Sequence, residues 1–329
     1  MIVLAYINFG VIMKVSSVYI ILNPNAAKGK AIRMKEKILN EFNSFGIKVN
    51  LVLTKEKEDA IKIAYNAVIN KEEVIVAAGG DGTCNECIHG ILQAKADYSI
   101  EEKDMCAFGV LPIGRGNDFS FSAKLLLKIE EAAEVIAKGF IRKIDSGYLV
   151  CENLKKNRYF INGCGLGFEP LVNFVASDYK HISGVLSYLC ALIKILLNAP
   201  KAVMLNLFLD EKLYKINTQQ ISICNGKRMG GAFYMGPDAE INDGLFDVVF
   251  TKDEIPKNKL LKNAMKFLNG SQLKYPNFCC VRCTHVKIEA LNGTLPIHVD
   301  GEEISRNVRK AELFLNEGSI KLLSKTETA

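Results

Sequence analysis

Residues 79–83 of this 329-residue chain read Gly-Gly-Asp-Gly-Thr and follow directly on the apolar run 74–78. A β-rich run that stops at paired glycines and turns helix-compatible places a tight turn at the carboxyl end of a buried strand. Open α/β sheets bind their ligands there. Glycine lets the backbone approach a phosphate closely, and the amides opening the next helix, from about Thr83, can meet an anion. Asp81 is the odd member. A carboxylate facing polyphosphate is repulsive unless a cation lies between them, or unless it orients the groups that bind phosphate. The loop therefore predicts a nucleotide held with Mg²⁺. It is neither a Walker A loop nor the dinucleotide fingerprint G-x-G-x-x-G.

Two more strand ends carry loops of the same kind, 23–30 (Asn-Pro-Asn-Ala-Ala-Lys-Gly-Lys) and 114–118 (Gly-Arg-Gly-Asn-Asp). In a parallel sheet all three open on one edge, and Thr54, ending the second strand, joins them. Convergence on one edge predicts a single site rather than three turns.

The elements that must position these loops alternate. Strands are predicted at 15–22, 47–54, 74–78 and 107–111, with helices at 31–45, 58–69 and near 84–92 between them. That alternation specifies a doubly wound parallel sheet. Near Gly139 the pattern changes to β-rich runs broken by Gly and Asn, at 141–150, 158–164, 203–209, 221–225 and 245–250, then 286–289, 297–299 and 312–315. These predict an antiparallel β-sandwich or curled barrel with one inserted helix around 182–198. A short strand at 318–323 can return to the first domain. The expected division is an extension at 1–12, an α/β nucleotide-binding domain at 13–144 plus about 317–329, and a β-sandwich substrate domain at 145–316.

Composition narrows the partners. Apolar content of 49% with 24% charged residues is ordinary for a globular chain, and the net charge of +6 carries no Lys/Arg block suited to nucleic acid. Mild basicity suits phosphate substrates or an anionic membrane surface. Ten cysteines without a signal peptide point to a reducing cytoplasm. The pairs Cys84/Cys87 and Cys280/Cys283 have zinc-like spacing but lie far apart in the chain, and read better as buried thiols. His89, His181, His285 and His298 are scattered and suggest neither a triad nor a metal cluster. The apolar stretch 182–197 is interrupted by Ser183, Gly184, Ser187 and Lys194 and is too short to span a bilayer.

The motifs together resemble a known family. Asn-Pro-x-x-x-Lys-Gly-Lys-Ala at 23–31, Gly-Gly-Asp-Gly-Thr-x-Asn-Glu at 79–86 and Pro-x-Gly-x-Gly-Asn-Asp-Phe at 112–119 are similar to the soluble diacylglycerol kinase catalytic family of bacterial lipid kinases, whose catalytic domain sphingosine and ceramide kinases share. The resemblance continues through Ile144-Asp145-Ser146-Gly147, the glycine-rich run 162–168, Pro237-x-Ala-x-x-x-Asp243-Gly244-Leu245 and Val299-Asp300-Gly301-Glu302. It implies that Asp81, Asp118 and Asp145 are active-site aspartates organising Mg·ATP. It implies nucleotide contacts at Thr54, Gly79, Gly80, Gly82 and Thr83 and at the loop of Asn23, Pro24, Asn25, Lys28 and Lys30. Asn85, Glu86, Gly114, Gly116 and Asn117 belong to the same nucleotide motifs. It further implies Glu302 as general base, and a structural Mg²⁺ on Asp243 with the main-chain carbonyls of Glu240 and Leu245. Arg115 departs from the family, many members having Thr or Ser there; an arginine could clamp polyphosphate bidentately.

The chemistry of the residues agrees. Phosphoryl transfer needs cations on the phosphates, alignment and an acceptor for the nucleophile's proton. Aspartates suit Mg²⁺, Lys28 or Lys30 can neutralise developing charge, and Glu302, on a glycine turn of the second domain, can face the cleft opposite ATP. The expected activity is transfer of the γ-phosphate of ATP to a hydroxyl of a membrane lipid such as diacylglycerol. NAD kinase, which shares the glycine loop and a β-rich second domain, is the alternative enzyme; a nucleotide-sensing regulator without turnover is the other reading. The acceptor has no readable code, because diacylglycerol, phosphatidylglycerol, a sphingoid base and an undecaprenol-like alcohol all present a hydroxyl on a greasy body. A cytoplasmic protein that contacts an anionic membrane peripherally is expected, with 181–197 as the contact segment and Lys180 and Lys194 meeting headgroups.

Overall fold

The structure, a computed structural model, describes residues 11–152, 157–179, 185–197 and 200–325. The nucleotide half begins with β1 (Val11–Ile12), β2 (Ser17–Leu22), α1 (Ala26–Gly29), α2 (Lys35–Ser44), β3 (Lys48–Leu53), α3 (Asp59–Ile69), β4 (Val74–Gly79), α4 (Asp81–Asp97), β5 (Ala107–Pro112), α5 (Asp118–Ser122) and α6 (Ile129–Lys138). Strands β3, β2, β4 and β5 pair in that order, all parallel.

Period-two alternation builds two faces from each strand. On β2, Val18, Ile20 and Leu22 turn toward Ile38 and Phe42 of α2 and Ile129, Ala133 and Ile136 of α6. Ile21, with Ile75 and Ala77 of β4, turns the other way onto Ala60 and Ala64 of α3 and Cys87, Ile88 and Ile91 of α4. Each fully buried Ile, Leu or Phe here contributes about 1.5–3 kcal/mol of transfer free energy. Cys84 and Cys87 are part of this packing, whereas Cys280 and Cys283 lie elsewhere, on the sandwich.

The second half adds β6 (Phe140–Cys151), β7 (Arg158–Phe160), β8 (Gly163–Gly167), α7 (Phe168–Ser177), α8 (Val185–Leu197), β9 (Val203–Leu209), β10 (Lys212–Thr218), β11 (Gln220–Cys224) and β12 (Phe246–Thr251). It ends with α9 (Lys257–Ala264), β13 (Phe278–Cys283), β14 (His285–Ala290), β15 (Leu295–Val299), β16 (Glu302–Val308) and β17 (Lys310–Leu323). An antiparallel six-stranded sheet, ordered β13-β12-β11-β8-β15-β16, faces a layer of β10, β9, β14 and the outer parts of β17 and β6. Leu205, Leu207, Val286 and Leu313 from one layer meet Ile221, Ile223, Phe246 and Ile297 from the other. The result is a β-sandwich.

The parallel sheet and this sandwich layer are one sheet of eleven strands. Strand β17 joins them. Its first part pairs antiparallel with β14 and β6, and after a bulge between Asn316 and Ile320 its end pairs parallel with β5 through Lys321 and Leu322.

Three details differ from expectation. Val11 and Ile12, placed in the extension, pair with Ile141 and Phe140 of β6; residues 1–10 lie outside the described residues, as do Lys180 and His181. Helices α1, α5, α6, α7 and α9 and strands β10, β13 and β16 add to those predicted. Residues 31–34 form a 3₁₀ turn before α2.

Candidate active site

Because β2, β3, β4 and β5 are parallel, their carboxyl ends lie on one edge, and the loops that follow share a pocket of about 1030 Å³. Asn23, Asn25 and Lys28 line it from the first loop, Thr54 from the second strand's end, and Gly80, Gly82, Thr83 and Glu86 from the third loop and α4. Gly114 and Arg115 close it. Asn23 Nδ2 donates to Thr83 Oγ1 at 3.2 Å, tying the first loop to the third. Ala27 and Lys28 both sit at positive φ, 51° and 60°, a costly conformation of the kind found at ligand clamps. The third and fourth loops touch backbone to backbone: a Cβ on Gly114 would lie 2.5 Å from Gly80 Cα. Only glycine allows that approach, and it leaves the amino end of α4 uncovered.

Asp81 and Asp118 open α4 and α5. Asp81 Oδ1 accepts the Phe119 amide at 3.0 Å, while Oδ2 looks onto Gly116, where a Cβ would stand 3.0 Å away. Burial, and then the charge of Asp118, push the Asp81 carboxyl up to about 7. Asp118 accepts Arg228 Nε at 3.2 Å and the Gly231 amide at 2.7 Å; burial raises its pKa despite both.

A polar cleft of about 1450 Å³ adjoins this pocket and is lined by Asp81, Gly116, Asp118, Asn173, Tyr188, His298 and Asp300 among others. Gly82, Arg115 and Glu302 line both spaces. Glu302 reaches across from β16, so that a Cβ on Gly82 would be 3.3 Å from its Oε1. Its Oε2 pairs with Lys57 Nζ at 2.5 Å, a bond that raises the Lys57 pKa.

The turn before Glu302 is braced by hydrogen bonds from several elements. Asp300, half-buried, accepts the amides of Ile161, Asn162 and Gly163 at 2.9, 2.9 and 2.8 Å and Asn85 Nδ2 at 2.7 Å. Four donors offset part of the desolvation cost, and burial still raises its pKa. The Gly301 amide donates to His298 Nδ1 at 3.1 Å, and its carbonyl accepts Asn173 Nδ2 at 2.6 Å. Tyr188 Oη donates to Asn173 Oδ1 at 2.9 Å.

An apolar cavity runs on from the cleft between α7, α8, α9 and the six-stranded sheet. Phe168, Val172, Leu192, Phe233, Ile255 and Phe267 line it; Glu169, Tyr188, Met229 and Gly230 line both it and the cleft.

Several expected site residues stand elsewhere. Asp145 lines neither space. Its carboxylate oxygens accept the amides of Gly318 at 2.7 Å and Gly244 at 2.9 Å, in company with Asp243 and Glu317, so it ties β6 to β17 and to the turn before β12. Pro24 and Lys30 lie outside the pocket lining. Gly79 is the last residue of β4, and Asn117 bonds Gly114 O at 3.3 Å, bracing its own loop. Asn85 is spent on Asp300 and on Tyr159 O, and Glu86 accepts the Glu58 amide at 3.0 Å.

The expected structural metal fits poorly. Asp243 Oδ2 is taken by Arg282 and Oδ1 accepts the Leu245 amide at 3.1 Å. Among the described residues, no group of three His, Cys, Asp or Glu is placed to hold a metal ion. Mg²⁺ carried by a nucleotide is a different case, needing only one or two carboxylates plus phosphate oxygens. Asp81 Oδ2 could serve it, and the α4 amides with Lys28, Lys57 and Arg115 could hold the phosphates.

Sequence reasoning assigned no role to Asp300, quoted only within its motif, to His298, set aside as scattered, or to Lys57, Arg228 and Glu169. For His298 and Asp300 a signal existed: Ile297 and Val299 face the sandwich core, so strand alternation turns 298 and 300 to the opposite side. Lys57 and Arg228 sit in loops, with no periodicity to place them.

Comparison with known proteins follows this geometry. Residues 17–149 match the diacylglycerol kinase catalytic domain, and 163–315 match the YegS C-terminal NAD kinase beta sandwich-like domain. A diacylglycerol kinase of Bacillus subtilis is 26% identical over 285 residues, 86% of this chain and 88% of its own. One of Staphylococcus aureus is 29% identical over 287 residues, covering 86% and 85%. A crystal structure of a diacylglycerol kinase from Bacillus anthracis superposes with a TM-score of 0.70 at 19% identity, covering 96% of this chain and all of that one. Yeast NADH kinase shares the fold more distantly, with a TM-score of 0.53 at 13% identity over 96% and 85% of the two chains.

Proposed function

Because the chain belongs to the diacylglycerol kinase catalytic-domain family, we propose that it transfers the γ-phosphate of ATP, with Mg²⁺, to a hydroxyl of a membrane lipid such as diacylglycerol. One observation carries this reading: Glu302 lines both the glycine-rich pocket and the polar cleft that continues into an apolar cavity. A phosphate donor on one side and a lipid hydroxyl on the other would meet at its carboxylate.

On this reading the α4 amides, Lys28 and Arg115 hold the triphosphate, and Asp81 anchors the Mg²⁺ that neutralises it. Glu302 accepts the acceptor's proton while the lipid oxygen bonds to the γ-phosphorus and the bridge to ADP breaks. Lys57, already at Glu302, adds positive charge at that point. Arg228 and the Gly231 amide fix Asp118 as a second acidic wall. Asp145 has a structural role in this scheme. Residues 13–144 with the end of β17 hold the nucleotide, and 145–316 hold the lipid.

The lipid must be met at its bilayer, and among the described residues no helix is long and apolar enough to cross a membrane. Peripheral contact through α8 and α9 suits the surface there. Leu186, Ile193 and Leu197 of α8 and Leu261 of α9 are exposed, beside exposed Lys194, Lys257, Lys259 and Lys262. The inner faces of the same helices wall the apolar cavity. That apolar lining also disfavours a dinucleotide acceptor, and with it the NAD kinase alternative.

The test is labelled ATP with a panel of extracted lipids and, separately, NAD. Label transferred to a lipid supports the reading. Label on NAD alone would replace it, and hydrolysis or binding without transfer would favour a regulatory protein.

A further inference from the structure

A carboxylate and an imidazole without a part in phosphoryl transfer stand at the neck between the polar cleft and the apolar cavity. Glu169, in the first turn of α7, lines both spaces. Its Oε2 lies 2.6 Å from Nε2 of His298, which is fully buried. Nδ1 of that ring already accepts the Gly301 amide, so Nε2 is the nitrogen that donates to Glu169. Space for the pair comes from Gly165, the cross-strand partner of His298. A Cβ there would stand 2.0 Å from Glu169 Oε2 and 2.6 Å from His298 Nε2.

Placing a carboxylate against apolar lining is costly, and packing alone would be served as well by a hydrophobic residue of similar volume. His298 satisfies one oxygen. The other, Oε1, has no hydrogen-bond donor among the described residues. A carboxylate accepts hydrogen bonds and gives none. At the neck it would take a bond from a hydroxyl or an ammonium and repel an ester carbonyl or a phosphodiester.

We propose, resting on the lipid-kinase reading above, that Glu169 held by His298 selects lipid alcohols whose head carries a second hydrogen-bond donor beside the hydroxyl offered to Glu302. Monoacylglycerols supply that donor as a hydroxyl and long-chain amino alcohols as an ammonium. Diacylglycerol has an ester in its place. A hydrogen bond to a charged acceptor corresponds to about 10- to 100-fold in kcat/KM between a lipid that makes it and one that does not.

The experiment compares 1-oleoylglycerol, an oleyl-length amino alcohol and 1,2-dioleoylglycerol in mixed micelles, with ATP, for wild type, Glu169→Leu and Glu169→Gln. Wild type should favour the donor-bearing lipids by about 10-fold or more, and their ranking separates hydroxyl from ammonium recognition. Glu169→Leu should lose that preference with KM for ATP unchanged. Glu169→Gln, whose amide can donate to an ester carbonyl, should shift selectivity toward dioleoylglycerol and covers the case in which the leucine variant misfolds. Equal losses on all three lipids would make Glu169 merely structural and overturn the proposal. Binding of the same lipids without ATP is measured in parallel, so the proposal stands or falls apart from turnover. No phosphorylation of any lipid with a preserved, Glu169-dependent binding preference would overturn the kinase reading alone, whereas wild type binding dioleoylglycerol as tightly as the others would overturn this one.

Discussion

Asn85 and Asp300 are 215 positions apart in the chain, and Asn85 Nδ2 donates to Asp300 Oδ2 at 2.7 Å. One residue belongs to the helix that opens the phosphate pocket, the other to the turn that presents Glu302. This bond ties the two halves of the site together.

Asn85→Ala should therefore do two things. It removes one of four donors from a half-buried carboxylate, which costs about 1.5–3 kcal/mol of stability, read by urea denaturation. It should also lower kcat while leaving the ATP KM within about two-fold, since the pocket itself is untouched. A stable variant with wild-type kcat would show that Glu302 is placed by other contacts.

Glu302→Gln keeps shape and loses the proton acceptor. Its kcat should fall by roughly 10²- to 10⁴-fold with nucleotide binding nearly unchanged. Glu303, paired with Arg306 on the surface, is the control, and Glu303→Gln should behave as wild type. Comparable losses at both positions would remove Glu302 from the chemistry.

Asp81 links the site to pH. Its folded pKa of about 7 lies above the unfolded value of ~3.9. The folded state thus holds more protons between the two, and ionising Asp81 subtracts stability as pH rises through that window. Asp81→Asn should raise the melting temperature at pH 8 more than at pH 4 and remove most turnover. Mg·ATP, which needs the carboxylate, should release a proton on binding near pH 7. Calorimetry in two buffers of different ionisation heat reads that proton, and buffer-independent heats would count against Asp81 as the anchor.

The fold was legible where pattern and burial coincide. Alternation on β2 and the glycine stops after β4 and β5 specify a parallel sheet and its ligand edge, because each strand is covered on both faces. Asp145 shows the limit. Its motif resembles a site motif, yet Gly244 and Gly318, both remote in sequence, claim its oxygens. Arg282 similarly meets Asp243 from β13. Partners supplied by distant strands leave no local mark, and the neck between Glu169 and His298 exists only once α7 and β15 are packed.

Asp243 offers a sharp comparison. With Arg282 on its carboxylate, wild type should melt at the same temperature, within about 1 °C, in EDTA and in millimolar Mg²⁺; a shift of several degrees follows only from a bound ion. Arg282→Ala uncovers the carboxylate, and any Mg²⁺ dependence should emerge in that variant.

For membrane contact, Leu186, Ile193 and Leu197 changed to Ser should abolish co-sedimentation with anionic vesicles while ATP affinity survives. Charge reversal at Lys257, Lys259 and Lys262 should weaken binding most at low salt. Retention by both variants would move the contact to the rim of the cleft.

Strand β17 has a consequence for how the protein is made. Translation delivers β5 some two hundred residues before Lys321 and Leu322, its parallel neighbours. Until they leave the ribosome, one margin of the nucleotide sheet is an unpaired template open to other strands. Nascent chains halted before β17 should bind chaperones strongly and resist release, and synthesis of β17 would close both halves in a single event.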